Sequence, residues 1–164
     1  MKCIHKDITF LKLDKNEQPP YEFLLLADPS KKIIDEYLKL SDIFLAKLNG
    51  ETIGVIVLYP LPDDKVEIKN IAVKPEYQGS GIGSFMIKHM LVIAAKKNRK
   101  SILIGTANSS IRQLYLYQKL GFEISALKMN FFTDHYAEHI FENGIQAKHM
   151  VVLTKDLLNQ NDMQ

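Results

Sequence analysis

The chain has 164 residues, of which 46% are hydrophobic and 24% are charged, a size and composition typical of one globular domain spanning residues 1–164. Its 21 Lys and Arg residues nearly balance 19 Asp and Glu residues, and the net charge of +2 gives no electrostatic reason to expect nucleic-acid binding. No segment approaches the about 18 consecutive apolar residues of a membrane span, and the one cysteine, Cys3, excludes an internal disulfide framework. We therefore expect a soluble, cytoplasmic protein that binds neither nucleic acid nor membranes.

The first 40 residues predict one strand and one short helix. Hydrophobic residues alternate roughly from Ile4 to Leu13, as in a β-strand, until two consecutive prolines interrupt the pattern. Further along, Asp28 is a candidate N-cap and Pro29 occupies the first helical position after it. This pattern predicts a helix that ends near Leu40.

The next segment predicts an antiparallel β-meander. Asn49 and Gly50 lie between the apolar runs "SDIFLAKL" and "ETIGVIVLY", a pattern typical of two strands joined by a two-residue turn. After a second turn rich in Pro and Asp, "KVEIKNIAV" at 65–73 adds a third strand. Simple alternation along this strand places Glu67 on the same face as Ile71.

The second half of the chain predicts two helices and three strands, with one long loop before the last strand. The helices are expected at 81–97 and 111–120, and the strands at 101–105, 122–132 and 147–155. Ser109 or Ser110 can cap the second helix, which should end at Gly121. This order predicts an α/β fold of the α+β kind, a mixed and mostly antiparallel central sheet flanked by helices.

Three glycines at alternate positions come directly before the first of these helices, in "PEYQGSGIGSF" at 75–85. Each weakens a helix by up to ~1 kcal/mol relative to alanine, so their number needs a reason. A nucleoside-triphosphate P-loop is excluded because no lysine follows the last glycine, and a dinucleotide fingerprint is disfavoured because the third glycine comes one residue early. What remains is a turn whose bare backbone N–H groups approach an anion at the positive end of a helix.

The segment "VEIKNIAVKPEYQGSGIGSFMIKHML" closely resembles the core motif of the general-control-related N-acetyltransferase (GNAT) superfamily, Gln/Arg-x-x-Gly-x-Gly/Ala between a strand and a helix. Gln78, Gly81 and Gly83 match this motif, and "LYQKLGF" at 116–122 resembles the second signature of the family. The resemblance implies a GNAT-like fold and transfer of an acetyl group from acetyl-coenzyme A to a primary amine of a small molecule or protein. The alternative is a noncatalytic protein of the same fold that binds or senses coenzyme A.

The resemblance suggests Glu67 as the general base. An amine with a pKa of ~10.4 is almost fully protonated near pH 7, so a proton acceptor assists its attack. Glu67 precedes Gln78 by eleven residues, as the glutamate base does in family members that have one. It could act directly or through water, and the structural alternative is a solvated ion pair with Lys65 or Lys69.

Tyr117 occupies the position of the family's general acid, which gives a proton to the departing thiolate. Tyr115 lies about 200° away around the same helix, so the two side chains cannot both face the site. Because Tyr115 shares a helix face with Ile111 and Leu114, we expect it in the core.

The resemblance also implies cofactor contacts. The glycine turn would hold the pyrophosphate of acetyl-coenzyme A, and a strand that splays from its neighbour would offer its backbone to the thioester and the pantetheine arm. The family often has an asparagine seven residues before the tyrosine. This chain has Ser110 at that position and Asn108 two residues before Ser110. The predicted cofactor-binding residues are Ile71, Ala72, Val73, Gln78, Gly79, Ser80, Gly81, Ile82, Gly83, Ser84, Asn108 and Ser110.

The segment 131–150 is rich in His, Asp and Glu. His135 and His139 have helical i, i+4 spacing, but the H-E-x-x-H order fails and no cysteine assists, so we predict no metal. Instead, the segment is expected to form one wall of an acceptor pocket, with Asp134, His135 and Glu138 as candidate substrate contacts. The alternative is a solvated loop or the contact surface of a homodimer.

Overall fold

The computed structural model describes residues 7–157, so Cys3 and the first residues of the strand predicted over Ile4–Leu13 lie outside the described part. In chain order the elements are β1 (Ile8–Lys12), α1 (Tyr21–Ala27), α2 (Lys31–Leu38), β2 (Asp42–Leu48), β3 (Glu51–Leu61), β4 (Lys65–Val73), α3 (Ile82–Lys96), β5 (Ser101–Ala107), α4 (Ile111–Lys119), β6 (Glu123–Lys128), α5 (Phe131–His135), β7 (Phe141–Glu142), β8 (Ile145–Gln146) and β9 (Met150–Asp156). A 3-10 turn, Pro75–Tyr77, follows β4.

Within these residues seven strands form one sheet in the order β1-β2-β3-β4-β5-β9-β6, and β7 pairs with β8 in a separate hairpin. Neighbours in the large sheet are antiparallel except β4 and β5, which run parallel. Helices α3 and α4 pack on one face of the sheet, and α1 and α2 pack on the other. The predicted fold class, a mixed and mostly antiparallel sheet flanked by helices, is confirmed. None of the helices within residues 7–157 is long and apolar enough to cross a membrane.

Strand β3 holds the two helix layers together because it is buried on both faces. Ile56 and Leu58 pack towards α3, whereas Val55 and Val57 pack towards α1 and α2. Burying each such side chain contributes about 1.5–3 kcal/mol relative to leaving it exposed. This position explains why the strand is almost continuously apolar instead of alternating with polar residues.

The helix predicted before Leu40 is in fact two helices. α1 begins directly after Pro20, because proline is tolerated at a helix start, and it ends at Asp28, whose N–H donates to the Leu24 carbonyl at 3.1 Å. The N-cap of α2 is Ser30, whose Oγ accepts a hydrogen bond of 3.3 Å from the N–H of Ile33. The prediction that Asp28 caps the start of a helix was therefore wrong. Its Oδ1 instead accepts a 2.9 Å hydrogen bond from the N–H of Ser30.

The turns that the sequence marks most clearly are confirmed. Asn49 and Gly50 have φ angles of 51° and 85° between β2 and β3, which is the left-handed backbone that a tight hairpin turn requires. The predicted helices correspond to α3 and α4, and Gly121, with φ 85°, follows the second one. The strand predicted over 122–132 is shorter, because β6 ends at Lys128 and the long loop contains α5 and the β7–β8 hairpin.

A β-bulge at Lys69 changes which residues of β4 share a face. The register pairs two consecutive β3 residues with Ile68 and Asn70, so Lys69 is the extra residue of the bulge. As a result, Ile68 and Ile71 both pack on the α3 side, whereas Asn70 bonds to α1 and α2 on the other side. Since neighbours alternate before the bulge, Glu67 lies on the α1–α2 face with Asn70. The prediction that Glu67 and Ile71 share a face was wrong.

Candidate active site

The sheet opens between its two parallel strands. Pairing of β4 with β5 runs from Lys65–Ser101 to Ile68–Ile104 and then stops, although β4 continues to Val73. Each strand stays paired with its other neighbour beyond that point, β4 with β3 and β5 with β9. The backbone groups on the facing edges are therefore free to bind an extended ligand, as the predicted splay requires.

The glycine turn follows β4 and leads into α3. Gly79 and Gly81 have φ angles of 77° and 87°, a left-handed backbone that glycine adopts without strain. Gly83 has no such conformational need, and a Cβ built on it would meet no atom within 4 Å. Glycine at this position therefore leaves open space above the first turn of α3.

Six consecutive N–H groups in this turn make no hydrogen bond to any residue of the described chain. Backbone hydrogen bonding resumes only with the N–H of Phe85, which donates to the Gly81 carbonyl at 3.0 Å. These amides lie at the N-terminus of a 15-residue helix, where the helix dipole favours negative charge. The six residues are Gly79, Ser80, Gly81, Ile82, Gly83 and Ser84. The turn is thus a ready binding site for a phosphate or diphosphate.

Two side chains of the turn hold its shape. Gln78 Nε2 donates to the Val73 carbonyl at 3.0 Å, and Ser80 Oγ donates to the Tyr77 carbonyl. Gln78 thus ties the turn to the end of β4, and Ser80 ties it to the 3-10 turn. They leave the backbone amides as the groups that face a ligand.

Glu67 is a buried side chain with an ion-pair partner. It is 8% exposed, and its Oε2 lies 2.8 Å from Nζ of Lys69, the bulge residue. Lys69 Nζ also lies over the ring of Tyr59, 5.5 Å from its centroid. The ion pair expected of a structural glutamate is present, but the side chain is not solvated. The pair fixes the carboxylate on the α1–α2 side of the opening.

Tyr117 lies on the opposite side of the sheet, on the inner face of α4, where it packs into the core shared with α3. It is 4% exposed, and its hydroxyl has no hydrogen-bond partner among the described residues. Burial raises the pKa of the Tyr117 hydroxyl well above its ordinary value, so the group stays protonated at neutral pH and can only donate a proton.

Tyr115 is 64% exposed, so the prediction that it lies in the core was wrong. The inner face of α4 instead carries Leu114 and Tyr117, three residues apart, and Leu120 continues this line. Ile111, expected on the same face as Tyr115, is also exposed.

The side chains of Asn108 and Ser110 bond to the segment that follows α5. Asn108 Oδ1 accepts hydrogen bonds from the N–H groups of Lys148 (2.8 Å) and His149 (2.9 Å), and its Nδ2 donates to the Gln146 carbonyl at 3.0 Å. Ser110 occupies the N-cap position of α4 without a side-chain cap, and its Oγ donates to Glu142. Their predicted contacts with a cofactor stay predictions, and these bonds argue for a structural role.

The segment 131–150 reaches the α1–α2 side of the sheet. Tyr136 Oη donates to Asp28 Oδ1 at 3.1 Å. Asp134, His135 and Glu138 are exposed, and the ring of His135 stacks on Phe131 with a centroid distance of 4.5 Å. Their roles as substrate contacts stay predictions.

Sequence reasoning missed four residues beside the opening, because they come from four separate elements: Asp28, Tyr37, Asn70 and Tyr136. Only Asp28 carried a sequence signal, and that signal was for a helix cap. Among residues 7–157 no three His, Cys, Asp or Glu side chains are grouped as they would be around a metal ion.

Comparison with known proteins identifies the family. The model of the acetyltransferase (GNAT) domain matches residues 39–124. The chain belongs to the GNAT acetyltransferase family. It is 50% identical over 137 residues to the N-acetyltransferase YvbK of Bacillus subtilis (strain 168), a match that covers 84% of this chain and 88% of the relative.

Two solved structures share the fold at high similarity. A GNAT family acetyltransferase from Elizabethkingia anophelis with acetyl-CoA bound has a TM-score of 0.90 and 48% identity, covering 92% of this chain and 99% of that one. An IAA acetyltransferase from Bacillus cereus ATCC 14579 has a TM-score of 0.88 and 39% identity over the same shares of the two chains. This GNAT protein is accordingly an acetyl-CoA-dependent N-acetyltransferase, and the free amides of its glycine turn suit the diphosphate of that cosubstrate.

Proposed function

We propose that this GNAT protein transfers an acetyl group from acetyl-coenzyme A by direct attack of a primary amine, with Glu67 as the base and Tyr117 as the acid. One observation carries the proposal: Glu67 lies on the α1–α2 face, one residue before the point where β4 and β5 separate, and Tyr117 lies in the core on the opposite face of the sheet. A thioester threaded through this opening would present one face to the acceptor and the sulfur to the opposite side.

The backbone of Ile71–Val73 would hold the thioester and the pantetheine arm, since this part of β4 has lost its pairing with β5. An N–H group at this edge stabilises the oxyanion of the tetrahedral intermediate without reorganisation. The diphosphate would lie on the amides of residues 79–84. Together these contacts fix the acetyl carbon at the opening.

Glu67 would accept a proton from the acceptor ammonium, directly or through one water, and so expose the nitrogen lone pair. Attack of the nitrogen forms the C–N bond and gives the tetrahedral intermediate. When this intermediate collapses, the C–S bond breaks and the thiolate takes the proton of Tyr117. The surplus proton on the new amide nitrogen leaves to solvent, and solvent returns a proton to Tyr117. Proton transfer from tyrosine to a thiolate is uphill by at least ~2 kcal/mol from ordinary pKa values, and burial of Tyr117 adds to this. A hydrogen bond from the hydroxyl to the thiolate would lower the barrier even without full transfer.

The acceptor is proposed to be an amine-bearing small molecule or protein amino group, since the relatives are N-acetyltransferases. We also propose that the protein is cytoplasmic and forms one domain over 1–164. The single domain is supported by the large sheet, which contains strands from both ends of the described chain.

A homodimer would form through the edge strand β6, whose side chains are all exposed, including Ile124 and Leu127.

The test is an assay of free thiol release from acetyl-coenzyme A with a panel of amines, polyamines and peptides. Tyr117→Phe should lower kcat by about 10²–10⁴-fold, the usual contribution of a general acid, while calorimetry shows unchanged cofactor binding. The matched control is Tyr115→Phe on the same helix, which should behave as wild type because Tyr115 is exposed. Flat rates across the panel with cofactor binding intact would favour the noncatalytic coenzyme A-binding protein.

A further inference from the structure

Four side chains meet on the α1–α2 side of the opening: Asp28, Tyr37, Asn70 and Tyr136, called here the Asp28 cluster. The Leu24 carbonyl accepts hydrogen bonds from the N–H of Asp28 (3.1 Å) and from Nδ2 of Asn70 (2.9 Å). Asn70 Nδ2 also donates to Tyr37 Oη at 3.0 Å. Asp28 is therefore joined through one shared oxygen to Asn70, which lies in the part of β4 that is not paired with β5.

The Asp28 carboxylate is buried without a cation. Asp28 is 9% exposed, and none of the described residues forms an ion pair with it. Its Oδ1 accepts hydrogen bonds from the Ser30 N–H (2.9 Å) and from Tyr136 Oη (3.1 Å), whereas no described group donates to Oδ2. Burial raises the pKa of this carboxyl group, against the opposing effect of the two hydrogen bonds.

A second acceptor atom of the cluster also lacks a donor. Asn70 Oδ1 is buried and has no hydrogen-bond partner within the described chain. Unpaired buried acceptors are costly, so each such atom in a folded protein needs an explanation. The cluster therefore contains two oxygens without a donor from the described residues, the buried Asn70 Oδ1 and the carboxylate Oδ2 of Asp28. A ligand that brings several donors and a positive charge would complement them.

The fold of the chain does not require this negative charge. The turn between α1 and α2 uses only Oδ1, and an asparagine would offer the same acceptor to the N–H of Ser30. The turn therefore explains why residue 28 has a short side chain with an acceptor oxygen, but not why that side chain is charged.

We propose that the Asp28 cluster binds the second ammonium group of a diamine or polyamine acceptor. This inference rests on the proposed function, because it names the acceptor class for that reaction. The reacting amine must be neutral when it attacks, whereas a second amine stays charged and needs a fixed anion. Asp28 is on the same side of the sheet as Glu67, so one acceptor could contact both carboxylates.

The experiment compares 1,5-diaminopentane with 1-aminopentane, two acceptors of equal length that differ in the second amine. For the wild-type protein we expect kcat/KM at least tenfold higher with the diamine, equivalent to about 1.4 kcal/mol. Asp28→Asn should remove this advantage by raising the KM for the diamine at least tenfold. Its kcat at saturation, its KM for the monoamine and its KM for acetyl-coenzyme A should not change.

The matched control is Asp156→Asn, which neutralises an exposed carboxylate at the far end of β9 and should keep the full preference for the diamine. A thermal unfolding curve of Asp28→Asn verifies that the variant is folded. Two results would overturn this inference but leave the proposed function intact. Either the wild-type protein acetylates both amines without preferring the diamine, or Asp28→Asn keeps the preference for the diamine. A wild-type protein that binds acetyl-coenzyme A but acetylates neither amine nor any other acceptor would overturn the proposed function, and the inference with it.

Discussion

Gly83→Ala should stabilise this protein while it weakens cofactor binding, an unusual combination for one methyl group. Gly83 lies in the first turn of α3 with an ordinary helical backbone, and an added Cβ would meet no atom within 4 Å. Alanine at a helical position is more favourable than glycine by about 0.5–1 kcal/mol. For a protein of this size that gain corresponds to a rise in Tm of about 1–4 °C.

The same methyl group would occupy the space above the free amides of residues 79–84. Losing one hydrogen bond to a charged group costs about 1.5–3 kcal/mol, so the Kd for acetyl-coenzyme A should rise about 10–100-fold. Calorimetric titration measures the Kd, and differential scanning calorimetry measures the Tm. S-acetylpantetheine, which lacks the diphosphate, is the control cosubstrate and should be used equally well by both proteins. A higher Tm with an unchanged Kd would refute the assignment of the turn to the diphosphate.

Two further predictions concern side chains around the opening. Asp28→Asn should raise the Tm at pH 7, because the pKa of Asp28 is raised in the folded state and its ionisation therefore costs stability. This difference in Tm should shrink as the pH falls through the folded-state pKa and should be gone below the unfolded-state pKa; an equal or lower Tm at pH 7 would contradict this reasoning. Asn108→Ala removes three hydrogen bonds to the backbone of 146–149, so unfolding should become about 1–3 kcal/mol easier in urea, and the amides of Lys148 and His149 should exchange faster. If instead Asn108→Ala weakens only the binding of acetyl-coenzyme A, with stability unchanged, its main role is in the cofactor site.

The features predicted correctly from the sequence depend on residues that are close together in the sequence. Backbone preferences over a few positions determine the turn at Asn49 and Gly50 and the glycine turn after Gln78. Both can therefore be identified without knowing which distant segments pack against them. The order of strands and helices around them follows from the same local patterns.

The faces of β4 and α4 could not be predicted in this way. The bulge at Lys69 arises from the pairing of β4 with β3, and it moves Glu67 to the side opposite Ile71. Which side of α4 faces inward depends on how the helix packs on the sheet, so Tyr115, expected in the core, is exposed. The periodicity of a helix or strand indicates which positions can share a face, but not which face packs against the rest of the protein.

The Asp28 cluster depends on contacts between distant parts of the chain. Asn70 bonds to a carbonyl 46 residues earlier, and Tyr136 bonds to a carboxylate 108 residues earlier. Neither contact has a local signature, since both depend on the sheet being assembled first. The α1–α2 side of the opening was for this reason the least predictable part of the molecule.

Hydrogen exchange of the turn amides tests the central claim most directly. In the free protein the N–H groups of residues 79–84 have no hydrogen-bond partner within residues 7–157, and they should exchange rapidly. Saturating acetyl-coenzyme A should slow the exchange of these amides and of Ile71–Val73, while S-acetylpantetheine should protect only the strand. Binding of acetyl-coenzyme A without any slowing in residues 79–84 would contradict the claim that this turn holds the diphosphate.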